Sequence, residues 1–94
     1  MRDETLPRVT FTANLQRHVP CPPCDVDGTT VKDALEAAFA LYPRVRDYVL
    51  DEHGAVRHHV VVFADGAQIA DRRQLGDAVS ESSQIHVMQA LSGG

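Results

Sequence analysis

Gly93 and Gly94 are the residues in this 94-residue chain with the clearest chemical potential. A carboxylate on Gly94 would sit on a thin stalk. With no Cβ at either position, that stalk can extend or turn to positive φ and enter a channel too narrow for side chains. A partner enzyme could then bring a nucleotide or nucleophile up to the acyl carbon. A frayed end that happens to carry two glycines is the bland alternative. Cys21-Pro22-Pro23-Cys24 is the rival site, and five histidines are the remaining candidates.

The cysteine pair has several readings. A reactive thiol pair usually draws on a helix N-terminus to lower its pKa, whereas Pro22 and Pro23 favour extended or turn geometry with no strong helix following. Zinc takes about four ligands, and His18 adds only one to Cys21 and Cys24 within a short span. A local structural pair is favoured, with metal binding and redox or sulfur handling as alternatives. His58 and His59, adjacent on an expected strand, should point to opposite faces and not share a metal. No serine or cysteine has the surroundings of a catalytic nucleophile.

Several elements must position the tail. Val9-Thr10-Phe11-Thr12-Ala13-Asn14-Leu15 alternates apolar and polar residues, the period of a half-buried first strand. A proline-rich connection covers 16–24, a short return strand follows over 24–27, and Asp27-Gly28 turns the chain. Thr30 is a candidate N-cap with Asp33 in the first turn. Behind it Val31, Ala34, Leu35, Ala38, Phe39 and Tyr42 form one helical apolar stripe that Pro43 ends. A short segment continues to Leu50, and Asp51-Glu52-His53-Gly54 is turn chemistry.

His59-Val60-Val61-Val62-Phe63 is strongly β-prone, and Asp65-Gly66 after it is the best short hairpin signal in the chain. Ala67-Gln68-Ile69 is the expected return strand. Residues 71–83 read as loop, anchored by Leu75 and Val79. The last strand is expected over 85–91, with Ile85, Val87 and Leu91 on one face and His86 and Met88 on the other. This order predicts an α+β fold, a mixed sheet of four to five strands with one main helix on one face. The other face must meet solvent or a partner.

Length and charge bound the rest. Ninety-four residues fit a single domain over 1–94, with 1–7 as a loose lead-in and 92–94 as a flexible tail. A formal charge of −4, without a basic stripe, argues against nucleic acid. No apolar run approaches a membrane span, and Met1 to Pro7 lack a signal-peptide pattern, so a cytoplasmic location is the default expectation. Lys32 is the only lysine, and so the only side-chain amine open to self-conjugation.

Taken together, the strand at 9–16, Asp27-Gly28-Thr29-Thr30-Val31 at the helix entry, the run from His59 to Gly66 and the ending Ile85-x-Val87-x-x-x-Leu91-Ser92-Gly93-Gly94 resemble the ThiS/MoaD family of ubiquitin-like sulfur carriers. The 44–64 region is most similar to cysteine-biosynthetic, CysO-like carriers. The resemblance implies a β-grasp fold in which the chain itself is not an enzyme and binds no cofactor. A ubiquitin-activating-type adenylating enzyme would use ATP and Mg on Gly94. A sulfur donor would then displace AMP to leave a thiocarboxylate, and a sulfur-accepting biosynthetic enzyme would consume it.

Gly93 and Ser92 would form the tail, with Leu91, Met88 and His86 as partner contacts. Two departures stand out: Gln89 and Ser92 replace the proline and alanine frequent in family tails, and the cysteine pair lies outside the family pattern. A ubiquitin-like modifier conjugated through Gly94, or a non-catalytic β-grasp module with a metal or redox site at Cys21/Cys24, are the alternative functions.

Overall fold

Val9 and Phe11 are buried on one side of the first strand, β1 (Arg8–Phe11), but the strand is shorter than its alternation suggests. The computed structural model of the chain describes residues 6–89. In it Ala13–His18 form a helix, α1, where a continued strand was expected through Leu15. Leu15 and Val19, four apart, reach the core from that helix and its C-cap. Gln16 Nε2 donates to the Phe11 carbonyl at 3.0 Å, using an acceptor at the point where the strand stops. Pro7 is buried and its carbonyl accepts from Val26 N at 2.8 Å, so packed structure begins inside the stretch expected to be a loose lead-in.

The short return strand β2 (Cys24–Asp25) pairs antiparallel with β1. The main helix α2 (Val31–Leu41) then starts as expected: Thr30 Oγ1 accepts from Asp33 N at 3.1 Å. Its buried stripe is Val31, Ala34, Leu35, Ala38 and Phe39, while Tyr42 is half-buried at the C-cap. A 3-10 turn (Pro43–Val45) and a four-residue helix α3 (Arg46–Val49) lead away.

Gly28 lies tightly against the first turn of α2. A Cβ there would stand 2.7 Å from Ala34 N, a backbone atom that cannot step aside. Gly28→Ala is therefore expected to cost about 1–3 kcal/mol, measurable by urea unfolding.

Beyond α3, Gly54 (φ 82°) closes a turn in which Asp51 Oδ1 accepts from His53 N and Ala55 N. Strand β3 (Val60–Ala64) begins after His58 and His59, which lie in a turn rather than on the strand. Their rings meet edge to face, centroids 5.4 Å apart, so the expectation that they point to opposite faces is corrected. Asp65 (φ 54°) and Gly66 (φ 84°) make the two-residue hairpin to β4 (Ala67–Gln68).

The loop ahead of the last strand is fastened by its own carboxylates. Asp71 accepts from the Gln74, Gly76 and Arg73 amides, and Asp77 from those of Ala70 and Asp71. For Asp71 the Gln74 amide, and for Asp77 the Ala70 amide, is the main cause holding the carboxyl below its usual range. A depressed folded pKa contributes stability that is complete above the unfolded carboxylate range and lost as pH falls through the folded value. The melting temperature is expected to fall as pH drops from about 5 toward 2, with a shallower fall in Asp71→Asn and Asp77→Asn.

Strand β5 (Gln84–Gln89) completes a five-stranded sheet of order β2-β1-β5-β3-β4. It runs parallel to β1 and antiparallel to β3, so the strand that leads to the tail is held from both sides. The expected strand ran to Leu91; residues 90–94 lie outside the described residues. Ile85 and Val87 are buried with α2's stripe in one core.

Candidate functional site

The side of β5 that faces away from the core presents His86 and Met88, both exposed, as their alternation with Ile85 and Val87 requires. Strand register shows what surrounds them. Thr10 and Phe63 flank His86, and Gln68 lies beyond Phe63, giving a row across four strands. Met88 sits opposite Val61 in the next row. Val61 and Phe63 are only half-buried, whereas Val60 and Val62 are enclosed in the core.

The result is an open sheet face of mixed character, with an adaptable thioether at its end nearest the tail. Thr10, Val61 and Phe63 were not picked out from sequence. The signal for the last two was present: the 60–63 run is apolar on both faces, which exceeds what one core requires.

Asn14 is a second residue that sequence reading missed. Its Nδ2 donates to Gln89 Oε1 at 2.8 Å, tying α1 to the last described residue of β5. Gln89 is the departure noted at the tail, and here its side chain gives the strand exit a fixed partner. The remaining tail residues Leu91, Ser92, Gly93 and Gly94 lie outside the described residues.

The cysteine pair occupies another corner. Cys21 is fully buried and Cys24, opposite Val9 on β2, is half-buried; both are free thiols. Burial is the main cause pushing each thiol up, and Asp25 adds to it at Cys24. Pro20 to Pro23 run without a turn or bend.

Suppressed thiolates suit packing better than nucleophilic or redox chemistry. His18, the third member of the candidate metal set, has a side chain outside the described residues. Among the described residues no three His, Cys, Asp or Glu side chains gather closely enough to hold a metal ion. Nor is any helix among them long and apolar enough to cross a membrane.

No protein-family model and no curated protein matches the sequence. Solved structures do. The chain is similar to SAMP1 from Haloferax volcanii, 27% identical with a TM-score of 0.76 over 94% of this chain and 98% of that one. CysO in the Amycolatopsis orientalis BexX/CysO complex superposes with a TM-score of 0.79 at 15% identity, covering 94% and 99%. Mycobacterium tuberculosis CysO gives 0.77 at 15% identity, covering 90% and 99%.

At 15% the two CysO likenesses speak for the fold alone, while the first reaches further into the sequence. In general kind these neighbours are small ubiquitin-like carriers and modifiers. The mixed sheet, its central parallel pair and these likenesses give the chain a ubiquitin-like β-grasp fold and support its resemblance to the ThiS/MoaD type.

Proposed function

We propose that the chain is a sulfur carrier whose working atom is the carboxylate carbon of Gly94. The observation that carries this reading is the placement of β5: the strand leading to Gly93-Gly94 is held between β1 and β3, and its described part reaches Gln89, five residues before Gly94. A strand held from both sides, leading to two residues without side chains, suits delivery of an acyl group into another protein's active site. The Gly94 carboxylate attacks the α-phosphorus of ATP and pyrophosphate leaves. A sulfur nucleophile then adds to the acyl adenylate and AMP leaves, so one carboxylate oxygen is replaced by sulfur.

An adenylating enzyme of the ubiquitin-activating type supplies ATP, Mg and the catalytic groups. The chain itself is the substrate that is loaded. The open face around His86, Met88, Val61 and Phe63 is the surface that enzyme reads, with Leu91 and Ser92 guiding the tail. The thiocarboxylate then serves a sulfur-accepting biosynthetic enzyme in the cytoplasm. The CysO neighbour is named in a complex with BexX, which is consistent with a carrier of this fold meeting a partner protein.

Adenylation is tested by exchange of labelled pyrophosphate into ATP by a candidate activating enzyme. Exchange that depends on this chain and is weakened by Met88→Glu supports the proposal. Exchange at the same rate with the tail removed contradicts it.

A second reading has one observation in its favour: the SAMP1 likeness is to a protein whose name is that of a modifier. Conjugation would use the same acyl adenylate with a lysine amine as nucleophile. Lysine-linked adducts carrying a Gly94 remnant would favour it over sulfur transfer.

A further inference from the structure

Gln89, the residue from which β5 leads toward the tail, is held unlike the rest of its strand. On the β3 side, Asp65 N donates to Gln84 O at 2.8 Å, and that bond sets which facing pairs are hydrogen-bonded. Bonded pairs alternate along an antiparallel ladder, so they fall at Phe63–His86 and Val61–Met88. Val60 and Gln89 form an unbonded pair, in agreement with Val60 N donating to Arg57 O at 2.9 Å. The backbone N–H and C=O of Gln89 therefore point away from β3, toward the side on which β1 runs.

On that side β1 has already turned away. Its ladder ends with Phe11 opposite Val87, and Thr12 N makes the last bond, to Val87 O at 3.1 Å. The Thr12 carbonyl, next in line to accept from Gln89 N, accepts from Gln16 N at 3.1 Å as α1 begins. Thr12 Oγ1 is buried without a hydrogen-bond partner among the described residues, so it does not hold the strand either.

Asn14 stands where the ladder is missing. It is the second residue of α1, and its Nδ2 donates to Gln89 Oε1 at 2.8 Å in a partly buried bond. The helix that carries it is itself fixed: Gln16 Nε2 donates to Phe11 O at 3.0 Å, and Leu15 and Val19 are buried in the core. The bond thus ties the strand's end to a braced element, and none of the core contacts depends on it.

We propose that Asn14 is a positioning residue for the tail: its bond to Gln89 fixes the direction in which β5 leads toward Gly94. This rests on the sulfur-carrier reading for its consequence, since a tail already aligned enters an activating enzyme without first being ordered. Losing that alignment weakens binding and leaves turnover alone, because the bound tail is ordered by the enzyme in either case.

The test compares Asn14→Leu, Asn14→Asp, Gln89→Ala and the double variant Asn14→Leu/Gln89→Ala in pyrophosphate exchange. Asn14→Leu should raise KM for the carrier about threefold to tenfold, the scale of one neutral hydrogen bond, with kcat unchanged. Gln89→Ala should match it, and the double variant should be no worse than either single change. Asn14→Asp should restore the original KM, because the Gln89 amide can turn and donate to the carboxylate. In the free ¹⁵N-labelled chains the heteronuclear NOE of Gln89 should fall in Asn14→Leu and recover in Asn14→Asp, while that of Val87 stays constant. A merely structural Asn14 would lower the melting temperature of Asn14→Leu and leave KM as it was. Unchanged KM, an effect on kcat alone, additive losses in the double variant, no recovery in Asn14→Asp, or an unmoved Gln89 NOE would each overturn the proposal. Absence of exchange with the unmutated chain, using an enzyme active on another carrier, would strike the carrier reading and this proposal with it.

Discussion

Deleting Gly94 is expected to reduce adenylation and thiocarboxylation to background while leaving the melting temperature unchanged. The chemical half follows from the proposal that the acyl carbon belongs to Gly94. Without it, the next carboxylate in line is one residue short of the partner's nucleotide. Gly93→Phe should fail for a different reason, because a ring at that position cannot enter a channel shaped for a backbone without side chains. The structural half follows from where the core lies. Among the described residues its members run from Pro7 to Val87, so removing the last residue takes nothing from it. Thermal unfolding and a loading assay on the same samples check both halves. Normal loading of either variant, or a large drop in melting temperature, would contradict the account.

Phe11→Ala should have the opposite profile. The ring is almost fully buried and meets Tyr42 edge to face, centroids 6.5 Å apart, where β1 turns into α1. Truncating a buried Phe typically costs about 3–5 kcal/mol. For a domain of this size, with a total of about 5–14 kcal/mol, that is a large share. At roughly 4–8 °C per kcal/mol the melting temperature should fall by more than about 12 °C. Carrier activity should persist at temperatures where the variant stays folded, since Phe11 faces the core and not the open sheet. A loss below about 1 kcal/mol in urea unfolding would mean that the ring is not packed as described.

The contrast between Phe11 and its neighbours shows which parts of this fold the sequence makes legible. Helix α2 is written locally: Thr30 caps it, its apolar stripe has the helical period, and Pro43 follows its C-cap Tyr42. The Asp65-Gly66 hairpin is equally local, because two positive φ angles suit those two residues.

The 9–19 stretch is different, since Val9, Phe11, Ala13 and Leu15 satisfy a strand while Leu15 and Val19 satisfy a helix. Pairing decides it. The β1–β5 ladder ends with Phe11 opposite Val87, and Thr12 N makes the last bond to Val87 O. That partner is more than seventy residues away, beyond any local signal.

The candidate site divides along the same line. Exposure of His86 and Met88 follows from alternation within one strand and was expected. The row Thr10–His86–Phe63 depends on register between three strands and could only be seen once they were paired. Asn14 reaching Gln89 spans 75 residues and required α1, an element absent from the sequence reading. His58 and His59 were placed on a strand that begins only at Val60, one and two residues later. The Asp71 and Asp77 clasps explain why a polar stretch read only as loop has a definite shape.

The central claim is best tested by C-terminal peptide mass spectrometry after incubation with an activating enzyme, ATP, Mg and a sulfur donor. Exchange of oxygen for sulfur nominally matches the addition of an oxygen, so fragmentation and a thioacid-selective reagent must separate it from oxidation of Met88. The account predicts a thioacid localised to Gly94 as the terminal residue, absent without ATP. An unmodified Gly94, with an enzyme shown to be active on another carrier of this fold and able to bind this chain, would contradict it.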